Sequence, residues 1–232
     1  MARGLAKGAR GLSSLSFTED GAEHYPALAL DQLELLASAF PSEPGNAGIR
    51  FDDVTAFDEL IGKGSKLAQI ASAKIRAGAR PVRVIAFDKS AETNWALGWH
   101  QDRTICVKRR ADVPGFGPWT TKQGLQHVQP PFSVTEAMAT VRIHLDSVDD
   151  DNAPLLIVSG SHRCGLIREM DIGQVVEASE VHRCHAEPGD VWLYATAILH
   201  ASERAIQPTR RRVLQVDYSA SNLPAPLEWL LD

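Results

Sequence analysis

The chain has 232 residues, 44% of them hydrophobic and 23% charged, with a formal charge of −5 and a pI near 5.9. That is enough apolar material for the core of one domain, and the acidic balance excludes nucleic-acid binding through overall basicity. Three cysteines, Cys106, Cys164 and Cys184, form no CxxC pair; they exclude a zinc ribbon and fit reduced thiols in a cytoplasmic protein.

The first sixteen residues, MARGLAKGARGLSSLS, carry Arg3, Lys7 and Arg10 with no acid and no apolar run behind them. They predict a flexible tail rather than a secretion signal, with a mitochondrial-type presequence as the alternative. Nowhere is the chain apolar for long enough to span a bilayer. Residues 17–80 predict a helical layer. Asp31-Gln-Leu-Glu34 resembles a capping box and leads into Leu33, Leu36 and Phe40 on one helix face. A second helix starts at Ser65, runs through Leu67, Ile70 and Ile75, and stops at Gly78.

From Pro81 the texture changes to β-branched and aromatic runs at 82–87, 94–100, 138–145, 154–158, 190–195 and 212–218, separated by turn residues. Helices first and then six short strands predict α+β or a mainly β sandwich with helices on one sheet, as a single domain over 17–232. The second run ends in His100-Gln101-Asp102. Residues i and i+2 of a strand share a face, so His100 and Asp102 project together as two of three ligands for a metal. Trp95 and Trp99 have the opposite parity and read as core packing.

Residues 103–131 form a long connection with PGFGP and QPP and little periodicity, the texture of a lid or binding loop. It holds Arg103, Lys108, Arg109, Arg110 and Lys122 against Asp112 alone, a net +4 that leaves −9 on the rest of the chain. A solvated basic loop is the preferred reading of these charges taken alone; a positive lid over an acidic body would favour an anionic substrate. Trp119 is a lid candidate within it.

Glu187-Pro-Gly-Asp190 is a tight-turn signal ahead of an apolar strand that delivers His200, the candidate third ligand. Two imidazoles and a carboxylate on one face of an iron leave positions open for oxygen chemistry. Ser202 shares the face of His200. His144, His162, His182 and His185 compete, but none has a carboxylate at i+2. Beyond lies Arg210-Arg211-Arg212. A buried arginine here could bind the far end of a dicarboxylate, but strand parity leaves its identity open, because Leu214, Val216 and Tyr218 share the parity of Arg212. A surface basic cluster is the plainer reading of the triplet.

Together, His100-Gln-Asp102, Asn152-Ala-Pro-Leu155, Ser159-Gly-Ser-His162-Arg163, Pro188-Gly-Asp190, His200-Ala-Ser202 and Arg211 resemble the phytanoyl-CoA dioxygenase-like (PhyH) family of Fe(II)/2-oxoglutarate oxygenases, from about residue 17 onward. The resemblance implies a double-stranded β-helix, the cupin-like jelly roll. It implies iron ligation by His100, Asp102 and His200, and capture of the remote carboxylate of 2-oxoglutarate by Ser202 and Arg211. Gln101 keeps the family's middle residue. Arg142 falls where relatives place an aromatic residue facing the cosubstrate, so it would contact 2-oxoglutarate or substrate.

Ala153 replaces the family's Gly, Ser159 replaces a Pro, and the basic connection is longer than in phytanoyl-CoA hydroxylase, which argues against a fatty acyl-CoA substrate. Asp102 argues against halogenation, because related halogenases carry a small residue there. The implied activity is hydroxylation of an aliphatic C–H in a small organic substrate, with dioxygen consumed and succinate and carbon dioxide released. A catalytically silent metal-binding module and a cupin-type dioxygenase without cosubstrate are the rival readings. No membrane or nucleic-acid partner is expected.

Overall fold

The computed structural model describes residues 15–43 and 48–231. Most of the predicted basic tail therefore lies outside the described residues. Its strands are β1 (Ala22–Tyr25), β2 (Gly48–Phe51), β3 (Arg80–Lys89), β4 (Leu97–His100), β5 (Ile105–Val107), β6 (Trp119–Lys122) and β7 (Leu125–Val128) in the first half. They continue as β8 (Met138–His144), β9 (Leu155–Val158), β10 (Val181–Cys184), β11 (Val191–Ala195), β12 (His200–Ser202) and β13 (Arg211–Ser219). One antiparallel sheet has the order β1-β11-β8-β13-β3-β2 and another β10-β9-β12-β4. These are the two walls of a jelly roll, the mainly β double-stranded β-helix with helices packed on one sheet.

The alternation of the long central strands decides what each wall faces. Val84 and Ala86 of β3, Val141 and Ile143 of β8, and Leu214, Val216 and Tyr218 of β13 are buried in one cluster with Leu36, Leu60, Ile61 and Leu67 of the helical layer. Burying each large side chain there contributes about 1.5–3 kcal/mol. The opposite face of the same strands turns into the roll. Leu155, Ile157, Trp192, Tyr194 and Ile198 form an apolar cluster there, and charged and aromatic residues together line the cavity beside it.

The helices are shorter than their patterns suggest. α1 (Phe17–Asp20), α2 (Leu33–Ala37), α3 (Asp58–Ile61) and α4 (Lys66–Lys74) make up the N-terminal layer. The Ser65 hydroxyl accepts from the Ala68 N–H at 3.1 Å, capping α4 as predicted. At α2 the expected cap fails. Asp31 lies in a preceding 3-10 turn and its carboxylate takes Lys66 at 3.0 Å instead. The layer also donates β1 and β2 to the two edges of the large sheet, so it is not purely helical.

Residues 103–131 are not the structureless connection that their composition suggests. β5, β7 and β6 form a three-stranded antiparallel sheet, turned at Gln123 (φ 51°) and Gly124 (φ 81°). Two successive left-handed residues match the twist of a tight hairpin. The Gln123 side chain then straps the hairpin to β2, donating to the Gly48 carbonyl at 2.8 Å and accepting from the Arg50 N–H at 3.0 Å. Trp119 packs with Val82, Ile105 and Val128 as part of this sheet's own small core, rather than over the site.

Candidate metal centre

His100 ends β4 and His200 begins β12, and the two residues are direct partners across the pair. Their rings lie 4.3 Å apart. Asp102 follows two residues beyond the strand end, and one ligand atom from each of the three falls within 4.8 Å of the others. Among the described residues this is the one such cluster of three.

Backbone carbonyls orient both rings. Nδ1–H of His100 donates to the Gly98 carbonyl at 2.7 Å, and Nδ1–H of His200 donates to the Ile198 carbonyl at 3.0 Å. Each bond fixes the tautomer and leaves Nε2 with its lone pair free, the state a metal requires. Burial pushes the His200 imidazole down to about 4, which keeps it neutral. Burial alone would raise the Asp102 carboxyl, but the Arg83 guanidinium opposes it and the group is held below the usual range. Two imidazole nitrogens and one carboxylate oxygen fit a divalent first-row metal.

Arg83 is the support that sequence reasoning missed. Its Nη2 donates to Asp102 at 2.9 Å, its Nε to Asp217 at 2.5 Å and its Nη1 to the Thr104 carbonyl at 3.2 Å. Asp217 also accepts from Thr140 at 3.0 Å, and Thr140 meets Thr196 at 2.9 Å. The available signal was parity, since Arg83, Ile85, Phe87 and Lys89 alternate along β3 and all line the cavity.

The cavity has a volume of about 840 Å³ and reaches from the His-Asp-His cluster to Arg211, Ser202 and Arg142. Arg211 is buried, donates to the carbonyls of Asn152 and Ala153, and pairs with no carboxylate among the described residues. Burial, then the nearby Arg142, lowers it to about 9. A buried cation without an anion is costly unless a ligand supplies one. Ala153 sits at φ 54° to present its carbonyl, which explains why a glycine suits that position.

Lys89 is the cross-strand partner of Arg211 and was likewise missed. Its ammonium donates to the Trp95 carbonyl at 2.8 Å, lies 3.4 Å from the Ser202 hydroxyl and sits 4.1 Å from the centre of the Trp95 ring. Trp95 and Trp99 both line the cavity; Trp99 also packs against the small core of Val158, Ile167 and Leu199, as its reading as a core residue expected, whereas Trp95 belongs to the cavity wall. Arg142 reaches the cavity and donates to Gln215 at 3.0 Å, but its Nε is buried with no hydrogen-bond partner. Gln101 lines the cavity and is held by backbone groups. Its amide donates to the Gly165 and Ala197 carbonyls and accepts from the Ile167 N–H at 2.9 Å, so it ties the loop behind the metal site to the strand end.

None of the competing histidines joins the cluster. His185 meets Asp150 at 2.9 Å on the surface, His182 lies near Trp192 with the two rings tilted, and His144 is buried in β8. His162 packs so closely on Gly21 that a Cβ there would lie 2.4 Å from its Nδ1.

A family model for phytanoyl-CoA dioxygenase (PhyH) matches residues 66–213, more than half of the chain. The chain belongs to the PhyH family. Within the matched region lie β3 to β12, all three ligand candidates and Arg211. No curated protein matches the sequence. Solved structures give the same fold at low identity. AviO1 from Streptomyces viridochromogenes Tue57 is 20% identical with a TM-score of 0.61, covering 90% of this chain and 95% of that one. EctD from S. alaskensis with bound Fe is 17% identical with a TM-score of 0.64, over 95% and 83% of the two chains. HygX from Streptomyces hygroscopicus, with nickel and 2-oxoglutarate bound, is 16% identical with a TM-score of 0.56, over 88% and 85%. In this PhyH-family jelly roll the His-Asp-His cluster sits at the β4–β12 pair of the smaller wall and lines the cavity.

Proposed function

We propose that this PhyH-family protein is an Fe(II)- and 2-oxoglutarate-dependent dioxygenase that hydroxylates an aliphatic C–H of a small organic substrate. The observation that carries this reading is the pairing of a three-ligand cluster with an unpaired buried arginine in one cavity. His100, Asp102 and His200 would hold the metal. Arg211, Ser202 and Lys89 would hold the remote carboxylate of 2-oxoglutarate by charge-assisted hydrogen bonds. Iron supplies the redox chemistry: one oxygen atom of dioxygen enters succinate as carbon dioxide leaves, and the other enters the substrate as a hydroxyl.

The chain's own contribution is positional and electrostatic. Asp102, held by Arg83, keeps a fixed negative charge on one side of the metal site. The two imidazoles are locked by backbone carbonyls, so ligand reorientation costs little when the metal binds. Trp95 and Trp99 shield the cavity from water on the β4 side.

The test is an anaerobic titration of purified protein with Fe(II) and 2-oxoglutarate, following the visible charge-transfer band of an iron-chelated 2-oxoacid. The band is expected with both present and is expected to weaken strongly in Arg211→Ala. Tight iron binding without a band would sink the cosubstrate assignment and favour a cosubstrate-independent dioxygenase or a silent metal-binding module.

A further inference from the structure

Seven cationic side chains line the cavity against only two acids, Asp102 and Glu169. Some of this excess is already neutralised. Arg83 is held by Asp102 and Asp217, and Arg103 donates to the Ile167 carbonyl at 2.7 Å with Glu169 at 3.7 Å. The end formed by Arg211 and Lys89 is assigned above to the cosubstrate. Arg142 donates to Gln215 at 3.0 Å, and the last two cations lie on the side of the hairpin. Arg50 comes from edge strand β2, where its partner in β3 is the cavity residue Ile85. Lys122 comes from the end of β6, one residue before the Gln123 strap that fixes the hairpin to β2.

The Asp102 carboxylate offsets the charge of this pair only from a distance. Arg50 Nε is buried with no hydrogen-bond partner, and neither side chain has a carboxylate within ion-pair distance. Burial, with Arg83 next in size, lowers Arg50. Lys122 is exposed along most of its length, yet partial burial and then Arg50 lower it too. The two cations repel one another, and Trp95, Leu97, Trp99 and Ile172 give the same cavity apolar lining.

We propose that Arg50 and Lys122 form the substrate-recognition end of the cavity and select a small organic acid, whose carboxylate or phosphate they bind while its apolar body lies along Trp95 and Trp99. This deepens the oxygenase reading and rests on it for the word substrate. The hairpin strap through Gln123 makes the subsite a joint product of the β6–β7 turn and the sheet edge. A dianionic cosubstrate at Arg211 would leave the Arg50–Lys122 pair free, so the two anions need not compete.

The experiment is calorimetric titration of the protein saturated with Fe(II) and 2-oxoglutarate under anaerobic conditions, using phenylacetate, inorganic phosphate and the neutral phenylacetamide. Phenylacetate or phosphate is expected to bind saturably and more weakly as salt rises, whereas phenylacetamide is expected not to bind. In Lys122→Gln the affinity should fall several-fold, and in the Arg50→Gln/Lys122→Gln double variant at least tenfold, with the charge-transfer band unchanged. The single Lys122 variant, exposed in the fold, guards against misfolding of the double one. No saturable anion binding, equal binding of the amide, or undiminished binding in both variants would overturn the subsite. Absence of the band with anion binding retained would instead overturn the oxygenase reading and leave the anion subsite standing.

Discussion

Arg83 and Asp217 form a buried pair that acts on a third residue, Asp102. Arg83 divides its guanidinium between the two carboxylates, at 2.9 Å to Asp102 and 2.5 Å to Asp217, and both Arg83 and Asp217 are almost wholly inaccessible. One arginine thus separates two carboxylates that would otherwise repel inside the roll.

Arg83→Met should leave both acids without a cation. Removing one partner of a buried pair costs about 3–5 kcal/mol, so a large fall in the denaturation midpoint is expected. Loss of a residue that orients a metal ligand typically costs about 10- to 100-fold in metal affinity. Both would be read in one preparation by urea denaturation and Fe(II) titration; wild-type iron affinity in a folded Arg83→Met protein would refute the positioning role.

Lys89 would give the proposed cosubstrate site a pH dependence. Burial, with Arg211 and Arg142 adding to it, lowers its ammonium to about 7 in the free protein. Below pH 7 it is already charged and binds a carboxylate without taking up a proton. Above pH 7 it is mostly neutral, and binding a dianion must first recharge it. The affinity for 2-oxoglutarate should therefore fall with rising pH above 7, by up to about tenfold per unit. Charge-transfer titrations at pH 6.5, 7.5 and 8.5 check this, and Lys89→Met should flatten the profile.

The arginine triplet should separate by function. Arg210 grips Asp88, which is fully buried, and the carbonyls of Pro41 and Ser42. Arg212 forks onto Asp146 at 2.6 and 2.9 Å. Arg210→Ala should cost about 3 kcal/mol of stability, since it strands a buried carboxylate, with little effect on 2-oxoglutarate binding. Arg211→Lys should do the reverse, weakening 2-oxoglutarate about 10- to 100-fold, the worth of charged hydrogen bonds. Equal effects of the two variants on cosubstrate affinity would contradict the assignment.

Gln101→Ala removes three buried hydrogen bonds to the 165–167 loop and Ala197. A stability loss of about 2–4 kcal/mol is expected, while 2-oxoglutarate affinity at saturating iron should change less than about twofold. A selective loss of cosubstrate binding with unchanged stability would restore Gln101 as a direct contact.

The sequence by itself determined the elements that rest on local pattern. The long strands, the Ser65 cap and the residues of the His100, Asp102 and His200 cluster are all legible, because periodicity and turn residues act over a few positions. The short strands β1, β2, β10 and β12 are not, since three or four residues carry too little alternation, and the 103–131 hairpin is masked by its charge.

Only the tertiary structure decided which face of each strand meets the site. In β13 the apolar residues Leu214, Val216 and Tyr218 turn away from the roll to meet the helices, and Arg211, Gln215 and Asp217 turn inward. Parity alone cannot distinguish solvent from a polar cavity, because both accept charged side chains. The helical layer settles it by burying the apolar face, which leaves the charged face no place but the interior, where paired carboxylates and a ligand can neutralise it.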